Sequence, residues 1–97
     1  MMQSTPLVSA YVTVIGRVQG VGYRAWCARE AERLGLHGWI RNRLDGSVEA
    51  IYHGRAERVE EMVRLSAKGP RWAKVEQILS TPCDAPDVAG FIRRPSY

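Results

Sequence analysis

Apolar and polar residues alternate along this chain with two different periods. From Val8 to Ile15 β-branched residues dominate and alternate members can point to one face, which predicts a strand. From Tyr23 to Leu34 the period lengthens. Tyr23, Trp26, Cys27, Ala31 and Leu34 recur at spacings of three and four, while Arg29, Glu30, Glu32 and Arg33 stay outside. That pattern predicts an amphipathic helix, with Gly35 placed to end it. Leu36 to Arg41 and Ser47 to His53 read as two further strands. Asp45-Gly46 between them is a hairpin signal, because tight hairpin turns need positive φ. Arg55 to Lys68 carries a second helical stripe of Ala56, Val59, Met62, Val63 and Ser66, stopped by Gly69-Pro70. Lys74 to Leu79 and Val88 to Ile92 are expected as strands on either side of a breaker-rich stretch from Thr81 to Pro86. Met1 to Leu7 reads as a frayed tail.

The predicted order is β-α-β-β-α-β with a short trailing strand. A hairpin in the middle excludes an all-parallel sheet. The expected class is α+β, a ferredoxin-like α/β sandwich (βαββαβ) in which an antiparallel sheet carries both helices on one face. Many unrelated activities use this arrangement, so the fold alone assigns none.

Composition narrows the field. Ninety-seven residues make one domain with a modest core. An apolar content of 45% and a charged content of 25% are those of an ordinary globular protein. No apolar run is long enough to span a bilayer and the N-terminus lacks a signal-peptide layout, so a cytoplasmic location is expected. Cys27 and Cys83 are isolated, and His37 and His53 are not spaced as ligands, so neither a metal site nor a disulfide is expected. The net charge of +4 suits anionic partners, a small metabolite as well as a nucleic acid.

The candidate chemistry lies between Gly16 and Trp26. Gly16, Gly20 and Gly22 allow a short loop to expose backbone N–H groups, and the helix that follows carries Arg24 in its first turn. A helix N-terminus offers unpaired donors and partial positive charge, to which Arg24 would add a planar cationic fork. Gly20-Val21-Gly22-Tyr23-Arg24-Ala25 spells the dinucleotide fingerprint, but the hairpin and the short chain leave no doubly wound sheet for it. The phosphate-loop lysine motif is absent. What remains is a loop for one phosphoryl group, with Arg24 on two oxygens and N–H groups from Val18 to Tyr23 on the others. Read by itself, the segment equally allows a plain turn with a surface arginine.

Asn42, at the end of the second strand, can accept a hydrogen bond from water and donate one to a phosphate oxygen, so it can orient an attacking water. It cannot act as a base at neutral pH, and an Asn beside a turn can equally serve turn geometry. His37 and His53 read as surface or strand residues, and Trp26, Trp39 and Trp72 as core or rim packing rather than a base-stacking platform. Asp45 reads as a turn-shaping residue, and Ser47 has no elbow motif or adjacent His to make it a nucleophile.

Two longer stretches carry a resemblance. Gly16-Arg17-Val18-Gln19-Gly20-Val21-Gly22-Tyr23-Arg24 resembles the first signature of the acylphosphatase family. Gly38-Trp39-Ile40-Arg41-Asn42, followed by Asp45-Gly46-Ser47-Val48-Glu49, resembles its second. Gly69-Pro70-Arg71-Trp72-Ala73-Lys74-Val75 and Gly90-Phe91 resemble later landmarks, so the likeness runs from about Tyr11 to Phe91. It implies one acylphosphatase-like domain over residues 1–97, with residues 1–9 as a flexible tail. It also implies a hydrolase that splits acyl phosphates into carboxylate and inorganic phosphate, by direct water attack without metal or cofactor. Arg24 takes the place of the phosphate-binding arginine and Asn42 that of the asparagine that positions water. Arg17, Val18, Gln19, Gly20, Val21, Gly22 and Tyr23 form the loop that supplies backbone donors. The implied partner is a small-molecule acyl phosphate, with inorganic phosphate as product and inhibitor. No membrane or nucleic-acid partner is implied, and a monomer is expected. Tyr23 departs from the commoner Phe and adds a hydroxyl that needs a partner. Gly90-Phe91-Ile92-Arg93-Arg94 departs from the usual Gly-Phe-x-Ile spacing, which leaves the register of the last strand open.

The sparse site suits this substrate. The leaving carboxylate has a conjugate acid of pKa roughly 4, so it departs without a proton and needs no general acid. The competing class is a non-enzymatic ferredoxin-like module that binds RNA or a phosphorylated ligand. RNA-binding versions carry paired aromatic motifs on the central strands, whereas Tyr11, Trp39, Tyr52 and Phe91 are scattered.

Overall fold

A computed structural model describes residues 6–96. Its elements run β1 (Leu7–Arg17), α1 (Tyr23–Arg33), β2 (His37–Asn42), β3 (Val48–Arg55), α2 (Ala56–Lys68), β4 (Lys74–Pro82) and β5 (Phe91–Arg93). The strands form one sheet in the order β4-β1-β3-β2-β5. Val12 and Val14 of β1, Ile40 of β2, and Val48, Ala50 and Tyr52 of β3 point to the same side. There they meet Tyr23, Cys27 and Ala31 of α1 and Val59 and Met62 of α2 in one core. This is the ferredoxin-like α/β sandwich, with both helices on one face.

The all-antiparallel expectation needs one correction. β1, β2, β3 and β4 pair antiparallel, but β5 runs parallel to β2. The cause is topological. β4 and β2 lie on opposite sides of the β1–β3 centre and run in opposite directions. A chain that leaves the end of β4 and crosses to the free edge of β2 therefore enters β5 running with β2. The last strand is also shorter than expected, covering Phe91–Arg93 rather than Val88 to Ile92.

β1 starts at Leu7, which pairs with Arg55, while Val8 pairs with Gly54 and Ser9 with His53. The end of the expected tail is therefore strand, because edge-to-edge pairing with β3 satisfies its backbone. Residues 1–5 of that tail lie outside the described residues.

Two features aim the chain at the site. At Gly16 the β1–β4 register shifts, a bulge that bends the end of β1. Gly16 has φ +137°, and a Cβ there would stand 2.2 Å from the Lys74 carbonyl oxygen, so the bend requires glycine. The second feature is a buried polar network. Tyr23 Oη donates to the Ser66 carbonyl at 2.6 Å, and Ser66 Oγ lies 2.7 Å from Tyr52 Oη and donates to the Met62 carbonyl at 2.7 Å. Cys27 Sγ sits 3.0 Å from the same Tyr52 hydroxyl. The extra hydroxyl of Tyr23 thus finds its partner on α2, and the first residue of α1 is pinned to the core next to Arg24.

Candidate active site

The loop between β1 and α1 leads into an open helix start, as its glycines predict. Gly22 caps α1 in a left-handed conformation (φ 78°) without a side-chain hydrogen bond, and no acidic residue occupies the first turn. The Trp26 N–H reaches the Gly22 carbonyl at 3.0 Å, so the N–H groups of Tyr23, Arg24 and Ala25 precede the first intrahelical bond. The same three residues line a cleft of about 170 Å³, together with Val18, Gly20, Gly22, Asn42 and Arg93. That volume lies below the roughly 300–1,000 Å³ of pockets for drug-sized ligands, so it suits a phosphoryl group rather than a nucleotide.

Arg24 and Asn42, eighteen positions apart in sequence, meet in this cleft. Arg24 Nη1 donates to the Arg94 carbonyl at 3.1 Å, which holds the guanidinium against the chain that leaves β5. Asn42 pairs with Val48, so its side chain shares the helix-side face with that buried valine. Its Oδ1 is buried with no hydrogen-bond partner among the described residues. An unpaired buried amide oxygen costs on the order of 1–3 kcal/mol, which makes Asn42 a candidate to hold a water or ligand.

The loop residues divide by role. Val18 is 1% exposed and Tyr23 is pinned in the core, so these two contribute backbone rather than side chain. Gly20 and Gly22 line the cleft, whereas Arg17, Gln19 and Val21 do not. Arg17 ends β1 opposite Lys74 with its side chain exposed, and Val21 packs against the core. Gln19 turns away from the cleft. Its Nε2 donates to the carbonyls of Arg43 and Ser47, both at 2.8 Å, which ties the loop to the β2–β3 connection.

That connection is the hairpin that Asp45-Gly46 signals, shifted by one residue from the expected strand bounds. It spans residues 43–47, closed by Arg43 N–H to the Ser47 carbonyl at 2.8 Å. Only Gly46 has positive φ, and Asp45 Oδ1 accepts from the Ser47 N–H at 2.9 Å and from its hydroxyl at 2.6 Å. These bonds hold the Asp45 carboxyl below its ordinary value, the Ser47 hydroxyl contributing most. Asp45 and Ser47 therefore build the turn that follows Asn42.

Among the described residues, no histidine or carboxylate lines the cleft. His53 Nδ1 lies 2.6 Å from Ser9 Oγ, and His37 Nδ1 accepts from the Gly90 N–H at 2.8 Å. Burial pushes the Cys27 thiol up to about 11 and raises the Tyr23 hydroxyl further still, so neither serves as a base near neutrality. No cluster of three His, Cys, Asp or Glu side chains that could hold a metal forms among the described residues. Trp72, expected in the core or at its rim, is instead 70% exposed beneath Arg71. Sequence patterning missed Arg93, whose only trace is the altered spacing after Phe91.

The opposite face of the sheet is built differently. Glu49 is only 4% exposed there and is held by Tyr11 and Arg41. Burial works to raise its carboxyl, but these two partners together with the charge of Arg43 outweigh burial and hold it below its ordinary value. Trp39 carries guanidinium groups of Arg41 and Arg94 at 5.0 Å from its ring centre.

Comparison with known proteins converges on one family. The acylphosphatase family model matches residues 10–92. An acylphosphatase of Rhodospirillum rubrum is 48% identical over 85 residues, covering 88% of this chain and 93% of the relative. A solved acylphosphatase from Coxiella burnetii superposes with a TM-score of 0.87 at 31% identity, over 91% of this chain and 93% of that one. One from Bacillus subtilis gives 0.85 at 32% identity, over 92% and 99%. With the fold, both signatures and nearly the full length in agreement, this chain belongs to the acylphosphatase family.

Proposed function

We propose that the protein hydrolyses the carboxyl–phosphate bond of small acyl phosphates, releasing a carboxylate and inorganic phosphate. Its family membership supports the reaction class. One observation carries the mechanism: Arg24, the open start of α1 and the unpartnered Oδ1 of Asn42 share a cleft sized for a phosphoryl group. Arg24 and the N–H groups of the loop and first helical turn bind the non-bridging oxygens and stabilise their charge in the transition state. Asn42 Oδ1 accepts a hydrogen bond from water and its Nδ2 donates to a phosphate oxygen, which sets the water beside phosphorus. The new oxygen–phosphorus bond forms as the bond to the acyl oxygen breaks. The carboxylate leaves with the electron pair, and the water proton passes to a phosphate oxygen. Water attacks directly, with no metal or other cofactor in this scheme.

The cradle is complete within one chain, which suits a monomer. Inorganic phosphate fits the same donors and acts as a competitive inhibitor. No helix is long and apolar enough to cross a membrane among the described residues. The free thiols of Cys27 and Cys83 suit a reducing cytoplasm. An RNA-binding module is disfavoured by the open face of the sheet. Tyr52 and Phe91 stack on the helix side, Tyr11 is bound to a buried carboxylate, and Trp39 is flanked by arginines. Among the described residues, no bare aromatic pair is left on the sheet for bases.

The test is a phosphate-release assay with benzoyl phosphate beside p-nitrophenyl phosphate and ATP. Hydrolysis confined to benzoyl phosphate is expected. Equal turnover of p-nitrophenyl phosphate, whose leaving group is far more basic than a carboxylate, would overturn the reading.

A further inference from the structure

We infer that Arg93 is a second phosphoryl-binding cation, which matches the cleft to a dianionic rather than a monoanionic phosphoryl group. This rests on the proposed function and extends it to a residue outside the two signatures. The parallel register pairs Phe91 with Gly38 and Arg93 with Ile40. Phe91 packs into the core and stacks on Tyr52 at 5.8 Å, so Arg93, two residues on, projects to the same helix side. It emerges beside β2 near Asn42, and it lines the same cleft as Arg24.

The mount is fixed and the charge is uncompensated. Backbone bonds join Gly38 N–H to the Gly90 carbonyl at 3.0 Å and Arg94 N–H to the Ile40 carbonyl at 2.8 Å, clamping β5 at both ends. The bond from Arg24 to the Arg94 carbonyl closes the third side. Arg93 forms no ion pair or side-chain hydrogen bond among the described residues, and no Asp or Glu lines the cleft. Arg24 and Arg93 both line this small cleft, so an anion held there meets two positive side chains. A fully ionised phosphoryl group carries two negative charges and answers both, whereas a monoester-blocked group answers one.

The experiment titrates phenylphosphonate and its monomethyl ester into the protein by calorimetry, at fixed pH 8 and low ionic strength, because an exposed guanidinium is screened by salt. Wild type binds the dianion more tightly than the monoanion. In Arg93→Gln that preference falls by about ten- to a hundredfold, the range for one charge-assisted hydrogen bond. The steric effect of the methyl group stays in both proteins and cancels in the comparison. Arg93→Lys recovers part of the preference, since a point charge replaces the fork. An unchanged preference in Arg93→Gln, or a wild type that binds neither ligand, overturns the inference. A wild type that binds the phosphonate in an Arg93-dependent way, yet leaves benzoyl phosphate intact, instead defeats the proposed hydrolysis and leaves the anion site standing.

Discussion

Replacing Asn42 by alanine separates function from stability in a way that few core-facing substitutions do. The Oδ1 atom of Asn42 is buried without a partner among the described residues, which costs on the order of 1–3 kcal/mol wherever no water fills the place. Alanine removes that burden and keeps the Cβ. The side chain is half-buried at the end of β2, so little packing is lost. Asn42→Ala is therefore expected to be as stable as wild type or up to about 2 kcal/mol more stable. At roughly 4–8 °C per kcal/mol for a domain of this size, the melting temperature stays level or rises by up to about 15 °C. Catalysis moves the other way. If Asn42 holds the attacking water, the loss of one hydrogen bond to a charged transition state is worth about 1.5–3 kcal/mol, or roughly a ten- to 150-fold fall in kcat. KM should move less than kcat, because water positioning is felt in the transition state. Thermal unfolding by circular dichroism and steady-state hydrolysis of benzoyl phosphate measure both arms. A variant that melts about 5 °C or more below wild type would mean that Asn42 holds the hairpin rather than water. A wild-type kcat would refute the water-positioning role outright.

Three further outcomes follow from the same geometry. Arg24→Ala loses a bidentate charge-assisted grip worth about 3–6 kcal/mol, so kcat/KM for benzoyl phosphate falls by roughly 10²–10⁴ while the far-ultraviolet spectrum is retained; near-wild-type turnover would sink the assignment. Glu49 has a depressed carboxyl pKa in the folded state, so its charge contributes stability above its ordinary value of 4.5 that is lost as pH falls through the depressed value. Wild type should therefore melt above Glu49→Gln near neutrality, with the gap closing below about pH 4.5; a gap constant with pH would exclude an ionised Glu49. Gly16→Ala forces a Cβ toward the Lys74 carbonyl at 2.2 Å with φ +137°, a strain of about 1–3 kcal/mol, and should lower the melting temperature by on the order of 10 °C. An unchanged melting temperature would show that the bulge relaxes freely.

Much of the architecture was legible because its causes are local. The stripe of Tyr23, Cys27 and Ala31 faces the core as its three-and-four spacing requires, and the Val12–Val14 alternation does the same on β1. The glycines of the loop and Arg24 in the first turn of α1 marked a candidate anion site. What stayed hidden depends on which distant elements meet. The direction of β5 follows from the side of the sheet on which the chain re-enters, and no local pattern encodes that. The role of Gln19 was hidden because its partners are carbonyls that only the folded hairpin presents.

The sequence by itself determined the elements, the fold class and the two signatures, since periodicity and turn chemistry act over a few residues. Tertiary structure decided the site. It brought Arg24 and Asn42 to one cleft, buried the Asn42 oxygen without a partner, and set Arg93 on an edge strand beside them. Those are long-range facts, created by sheet pairing between segments far apart in the chain, and the proposed chemistry rests on them.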